Sequence, residues 1–325
     1  MQKKNKTKSL PDYKIIFMGT PDFAVPTLKA LDEANYQIIA VISQPNRAKG
    51  RKQIVTDTPV AAYANANNLK LLQPESINSE EMKNYLKESK VDLIITAAYG
   101  QIITEEILEI PTFGCINIHA SLLPKYRGAS PINAAIINAE EVTGITIMQM
   151  DKGMDTGDIL HQVEIPIKVD ETAGELFDRL ATLGADSIVS FLPDFFDGNF
   201  KPIKQDESKA SYAMKMHRDV GEIDWQKSAS EISNLIRGTQ PWPGSFTFFD
   251  DKRVKVFSAI VISQDSVSQI YKPGELISCD DGFTVQCGKD ALKLGKIQFA
   301  SGKKMDSSIC SHNYEERQKF GRVKT

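Results

Sequence analysis

No stretch of this 325-residue chain approaches the ~18 consecutive apolar residues that would cross a bilayer as a helix, so no membrane span is expected. Cysteine is scarce. Cys115, Cys279, Cys287 and Cys310 form no C-x-x-C pair, and His312 stands near Cys310 without the other ligands of a zinc site. That excludes a disulfide framework and a zinc motif, so no metal is expected and the thiols suit a reducing compartment. The N-terminal MQKKNKTKSLPDYK is basic and polar. It lacks the apolar core of a signal peptide and the arginine of a transit peptide. A soluble, cytoplasmic monomer with a frayed first dozen residues is expected. Glycine fingerprints are also missing. The first strand-to-helix turn, GTPDFAVP (19–26), has a single glycine where a dinucleotide site would show G-x-G-x-x-G, and no Walker A pattern occurs. NAD binding and ATP hydrolysis are therefore disfavoured.

What is present suits a globular protein of two domains, 41% hydrophobic and 25% charged. From Lys14 to Gly198 apolar runs alternate with helical patterns. KIIFMG (14–19), YQIIAVIS (36–43), LKLLQ (69–73), VDLIITAAY (91–99), GCINIHA (114–120) and GITIMQMD (144–151) read as strands. Between them VPTLKALDEA, TPVAAYANANN, SEEMKNYLKES and SPINAAIINA read as helices, and a long helix follows at 172–197 behind the capping pattern Thr172-x-x-Glu175. Continuous Val/Ile/Leu strands separated by helices predict a doubly wound, mostly parallel α/β domain. Residues 1–13 form a tail, 14–198 the α/β domain, 199–217 a polar linker and 218–325 a second domain. In the second domain Ser228-x-x-Glu231 caps a short helix, and five strand-like runs between Gly, Asp and Pro turns predict a small β-barrel. Trp225 and Trp242 are expected as packing residues.

In α/β sheets ligands bind at the carboxyl ends of the strands. Three segments should end there: VDLIITAAYG, GCINIHASLLP and GITIMQMDKGMDTGDIL. Asn117 and His119 are two apart, so strand alternation points both to one face. Asp155, 36 residues beyond His119, can come from the next strand. Asn supplies a fixed neutral donor for a developing oxyanion, and His changes charge near neutrality. A carboxylate beside the ring favours and orients the imidazolium. No Ser or Cys sits in a nucleophile elbow. The trio suits acyl-type transfer to an amine without a covalent intermediate.

NIHASLLPKYRGASPI together with TGITIMQMDKGMDTGDIL resembles the folate-dependent formyltransferases. IIFMGTPDFAVPTLKAL, SQPNRAKGRK, YGQII and GEIDWQKSASEISNLIRGTQPWPGSF point within them to the branch acting on methionyl-tRNA. The resemblance runs from about Lys14 to at least Met305. It implies a Rossmann-like N-terminal domain and a C-terminal barrel resembling an OB-fold that binds tRNA. It implies Asn117, His119 and Asp155 as catalytic residues and 10-formyltetrahydrofolate as formyl donor. Ser121, Leu122, Leu123 and Pro124 would lie against that donor. Tyr99, Gly100, Gln101 and Ile102, with the backbone around Asp155, would wall its pteridine. The acceptor implied is methionyl-initiator tRNA, with Arg47, Arg51 and Lys52 of the basic loop PNRAKGRKQIVT (45–56) meeting its acceptor end. Here the family's Gly-Arg-Gly-Lys is Gly50-Arg51-Lys52-Gln53. The run LKLGKIQFASGKK (292–304), with four lysines and no acid, suits phosphate contact or a solvated face equally. A formyltransferase acting on an aminosugar, or releasing formate to water, remains open. A non-catalytic RNA-binding protein would not need the trio, and a dinucleotide-dependent oxidoreductase is the weakest alternative.

Overall fold

A computed structural model of the chain describes residues 12–49, 54–263 and 271–322. Two compact units emerge. The first comprises Met1–Gly128, Thr143–Ile165 and Phe177–Tyr212, and the second Ala129–Val142, Pro166–Leu176 and Ala213–Thr325.

The first unit is built on a seven-stranded sheet. In chain order its strands are β1 (Lys14–Gly19), β2 (Gln37–Ile42), β5 (Leu71–Leu72), β6 (Leu93–Ala97), β7 (Cys115–His119), β8 (Val142–Gln149) and β9 (Ile159–Pro166). Between β2 and β5 lies a separate hairpin of β3 (Arg47–Lys49) and β4 (Ile54–Thr56). The spatial order is β9-β8-β7-β6-β1-β2-β5. Pairings from β7 through β6, β1 and β2 to β5 are all parallel. Ile15, Ile16, Ile94 and Ile95 are wholly buried, as a sheet covered on both faces requires. The helix Glu80–Ser89, capped by Ser79, sends Met82 and Leu86 into one core with Ile16, Met18, Ile94 and Cys115. On the opposite face the long helix Ala173–Asp197 passes so close at Gly184 that a Cβ there would lie 3.0 Å from Ile118 Cγ2.

One expectation about strand direction is overturned. β8 runs antiparallel to β7, pairing Thr146 with His119 and Gln149 with Ile116. The loop after β8 therefore leaves from the end opposite the carboxyl ends of β1, β6 and β7. It reaches the site by folding back, as described below. β9 is a strand that the sequence pattern does not announce. Alternate residues are part-exposed along most of it, so it lacks the continuous apolar run of a central strand.

In the second unit, Ser228 and Glu231 form the expected reciprocal cap on the helix Ala229–Gly238. Two of the expected five runs are each split, giving seven strands: β10 (Ser245–Phe249), β11 (Lys252–Val256), β12 (Ala259–Ile262), β13 (Leu276–Ser278), β14 (Thr284–Gln286), β15 (Ala291–Leu294) and β16 (Lys296–Phe299). With β17 (Met305–Asp306) they form two four-stranded sheets, β10-β11-β16-β17 and β12-β15-β14-β13. The two breaks face each other. Gly295 N–H donates to Ser258 O, Lys296 N–H donates to Ser258 Oγ, and a Cβ on Gly295 would lie 2.5 Å from Ser258 Oγ. Two long runs bend there and pass from one sheet to the other, so the architecture is two small antiparallel sheets with a shared corner. Their pairings are antiparallel. Trp225 is buried in this core and donates Nε1–H to Thr247 Oγ1 at 2.9 Å. Trp242 departs from the packing role expected of it: it is 54% exposed, set between two prolines in the turn before β10.

Candidate active site

The carboxyl ends of β1, β6 and β7 lie level, since Gly19 pairs with Ala97 and Thr96 with Asn117. Gly19 opens the first turn because nothing larger fits: a Cβ would lie 2.6 Å from Ala24 Cβ and 3.1 Å from Ala97 O. Thr20 Oγ1 and Gln44 Nε2 both donate to Tyr99 O, tying the ends of β1, β2 and β6 together.

Asn117 and His119 share one face, as alternation demands. Thr96 stands beside Asn117 on the neighbouring strand and donates its hydroxyl to Asn117 Oδ1 at 2.8 Å. That contact consumes the carbonyl end of the amide. Among the described residues nothing accepts from the Asn117 NH2 group. His119 is buried, with Nε2 2.9 Å from Tyr126 O. A carbonyl only accepts, so Nε2 carries the hydrogen and Nδ1 is left for other work. Nδ1 lies 3.6 Å from Asp155 Oδ2, within ion-pair range but longer than a hydrogen bond.

The loop 151–158 delivers only one of its three acids. Asp151 is spent inside the loop, accepting from Gly153 N–H at 3.0 Å and Thr156 Oγ1 at 2.6 Å. Asp158 is exposed. Asp155 turns back across the sheet in a left-handed conformation, φ 54°, and Oδ2 accepts from Gly128 N–H at 2.8 Å. Gly157 is required for the return, because a Cβ there would collide with Gln149 O.

The Ser121–Pro124 turn is held from β8 and β9. Thr146 Oγ1 donates to Ser121 O at 2.6 Å and accepts from Leu123 N–H at 3.1 Å and Gln162 Nε2 at 2.9 Å. Gln162 also donates to Leu123 O, and Ser121 Oγ donates to Lys125 O. Leu123 is buried with Met148 and Ile159, while Leu122 and Pro124 are part-exposed.

After β6 the residues divide. Tyr99 is buried in the core of the first unit, where desolvation pushes its hydroxyl up to about 12. Gly100 has φ 92° and nothing within 4 Å of a would-be Cβ. Gln101 is used structurally, accepting from Ile77 N–H at 2.8 Å. Ile102 is 82% exposed. Arg47 stands on the β3–β4 hairpin, pairing with Glu75 at 3.2 Å. Arg51 and Lys52 lie outside the described residues.

Sequence reasoning missed the supporting residues Thr96, Thr146, Gln162 and Gln205, the last of which donates its side-chain amide to Asp155 O and Gly157 O. Thr96 and Thr146 leave a faint signal, as hydroxyls inside apolar strands. Gln205 leaves none, lying in a polar stretch expected as linker. Among the described residues no group of three or more His, Cys, Asp or Glu is placed to hold a metal ion, and no helix is long and apolar enough to cross a membrane.

A strand-end amide donor, a histidine with one nitrogen fixed and a carboxylate beside the other are an arrangement able to serve acyl transfer. The family model described as "Formyl transferase" matches residues 13–192, and the one described as "Formyl transferase, C-terminal domain" matches residues 215–313. The chain belongs to the formyl transferase family. A methionyl-tRNA formyltransferase of Acetivibrio thermocellus is 43% identical over 311 residues, covering 95% of this chain and 99% of the relative. One of Clostridium novyi is 48% identical over 293 residues, covering 90% and 93%. Among solved structures, the N-formyltransferase from Helicobacter canadensis, in complex with folinic acid and dTDP-3-aminofucose, superposes with TM-score 0.67 at 20% identity, covering 90% of this chain and all of that one. WlaRD, a sugar 3N-formyl transferase solved with dTDP and 5-N-formyl-THF, gives 0.66 at 21% identity, covering 90% and 99%. At that identity the likeness speaks for the formyltransferase fold.

Proposed function

We propose that this chain transfers the formyl group of 10-formyltetrahydrofolate to the α-amino group of methionyl-initiator tRNA, by direct amine attack and without a covalent enzyme intermediate. The observation that carries the reading is the convergence of Asn117, His119 and Asp155 at one strand end. It gains support from relatives 43–48% identical that are named methionyl-tRNA formyltransferases. The folate compounds in the two sugar-formyltransferase structures support the donor.

The residues present fit such a donor. A pterin needs an open, partly apolar wall, and exposed Ile102, unobstructed Gly100 and part-exposed Leu122 supply one. Tyr99 and Gln101 stiffen that wall from behind, and Ser121, Leu123 and Pro124 hold Leu122 in place. In the reaction the amine bonds to the formyl carbon, the bond from that carbon to the donor nitrogen breaks, and one amine proton passes to that nitrogen. Asn117 offers its NH2 to the formyl oxygen as charge develops there. His119, with its Nε2 hydrogen engaged by Tyr126, keeps Nδ1 for the amine proton. Asp155 stabilises the imidazolium that results.

Two basic surfaces suit the tRNA. Arg47, with Arg51 and Lys52 beyond it, would meet the acceptor end. The exposed Arg47–Glu75 pair is worth at most about 1 kcal/mol, so a phosphate can displace it. On the second unit, Arg253 and Lys255 stand exposed on β11, and Lys296 on β16. The finer reading of that unit is an OB-like platform for the tRNA.

The test offers 10-formyltetrahydrofolate with methionyl-initiator tRNA, methionyl-elongator tRNA and a nucleotide aminosugar. Preferred formylation of the initiator is expected, and formylation of the sugar alone would overturn the acceptor. Asn117→Ala, His119→Ala and Asp155→Ala should each lower kcat by about 10²- to 10⁴-fold with the thermal melt preserved. Near-normal turnover by folded His119→Ala would sink the mechanism.

A further inference from the structure

Arg127 is wholly buried, and a buried guanidinium must have its donors matched. Its Nη1 and Nη2 donate to the two Glu207 oxygens at 2.9 and 2.7 Å, and Nε and Nη2 donate to Gln205 Oε1 at 3.1 and 2.8 Å. These bonds keep the Glu207 carboxyl below its ordinary range. With Oε1 fixed this way, the Gln205 amide can face in only one direction. Its Nε2 donates to Asp155 O at 2.8 Å and to Gly157 O at 2.7 Å. The residue after Arg127 completes the arrangement, since Gly128 N–H binds Asp155 Oδ2 at 2.8 Å. Asp155 is thus gripped at both its main-chain carbonyl and its carboxylate.

A left-handed aspartate needs such a grip. Non-glycine residues hold that conformation at a cost of about 1–2 kcal/mol, and a carboxylate that must stay beside His119 has little tolerance for drift. A purely structural role for Arg127 would be met by Glu207 alone. It would not explain why both hydrogens of the Gln205 amide end on the carbonyls of Asp155 and Gly157.

We propose that Gln205, oriented by the buried Arg127, is a positioning residue that sets Asp155 against His119. The inference rests on the reading of Asp155 as acting on the imidazole. Gln205 touches neither substrate. Its removal should therefore lower kcat and leave KM for the tRNA unchanged.

The decisive variant is Gln205→Glu, which keeps an acceptor for Arg127 and puts an oxygen where the two carbonyls need a donor. A loss in kcat of about 10²-fold is expected, the scale of a misplacement near 1 Å. In an Asp155→Ala background the same change should add no further loss, because both act through one carboxylate. Gln205→Asn, whose amide falls one carbon short, should show the same split and covers the case in which the glutamate variant does not fold. Full kcat in a folded Gln205 variant, with Asp155→Ala inactive, overturns the positioning role alone. Losses that multiply with Asp155→Ala overturn it as well, since that is what a general structural defect does. Full activity of Asp155→Ala overturns the site reading and the inference with it.

Discussion

Thr146 serves three partners with one hydroxyl, and it is wholly buried. Replacing it by the isosteric valine removes an acceptor from Leu123 N–H and a donor from Ser121 O without opening a cavity. Each buried group left unpaired costs about 1–3 kcal/mol. Thr146→Val should thus lower the melting temperature and raise KM for the formyl donor more than it lowers kcat, because the turn it frees is the one proposed to face the donor and carries no proposed reacting group. A fall in kcat at constant KM would contradict that division. Single positions differ in how far they can be read from sequence. Asn117 and His119 are legible as a pair because period-two spacing assigns them a common face and a strand end gives them access. Asp155 is legible only as one of three loop acids. What separates it from Asp151 and Asp158 is the path of the loop, with Asp151 consumed by Gly153 and Thr156. No pattern in the sequence states that path. Gln205 is less legible still, since its work is done by where it is buried.

β9 and the long helix Ala173–Asp197 meet at an aromatic stack, His161 on Phe191 with ring centroids 5.3 Å apart. Burial lowers the pKa of His161 from its ordinary value. The ordinary value is about 6.5, so on acidification the unfolded chain takes up this proton before the folded one. Stability should then fall as the pH drops from about 6.5 through the lowered value, with no pH dependence from this group above about 6.5. His161→Phe keeps the stack and should flatten the melting temperature over this window. A slope unchanged in that variant would place the titration elsewhere. The elements themselves are mostly visible from composition: Leu93–Ala97 as a run apolar but for Thr96, Ala229–Gly238 from its cap. Their pairing direction is not. β8 has the Val/Ile content of a parallel strand, yet it runs antiparallel, because composition does not state the direction in which the chain re-enters the sheet. The corner at Ser258 and Gly295 is equally hidden. Each run reads as one long strand until the facing partner is known.

Over the whole chain, charge is unevenly placed. Residues 212–325 carry 17 lysines and arginines against 14 acids, and residues 1–211 carry 22 against 28. A polyanionic acceptor would be repelled by much of the first stretch unless basic groups concentrate where it docks, and the proposed docking loop at 47–52 carries Arg47, Lys49, Arg51 and Lys52 with no acid among them. The two substrates should therefore respond differently to salt. Each single-strand phosphate that the protein neutralises contributes a slope of about −0.7 to log K against log salt, so kcat/KM for methionyl-initiator tRNA should fall steeply as salt rises. The KM for the formyl donor, whose recognition is assigned to Ile102, Gly100 and the Thr146-held turn, should change little over the same range. Arg51→Ala combined with Lys52→Ala should weaken tRNA recognition and make the slope shallower by about 0.7 for each phosphate no longer neutralised, while turnover at saturating tRNA survives. A double variant with the parental slope would mean that these two side chains touch no phosphate. The discrimination would then have to come from the exposed lysines and Arg253 of the second unit, where the same slope measurement on Arg253→Ala and Lys255→Ala would detect it.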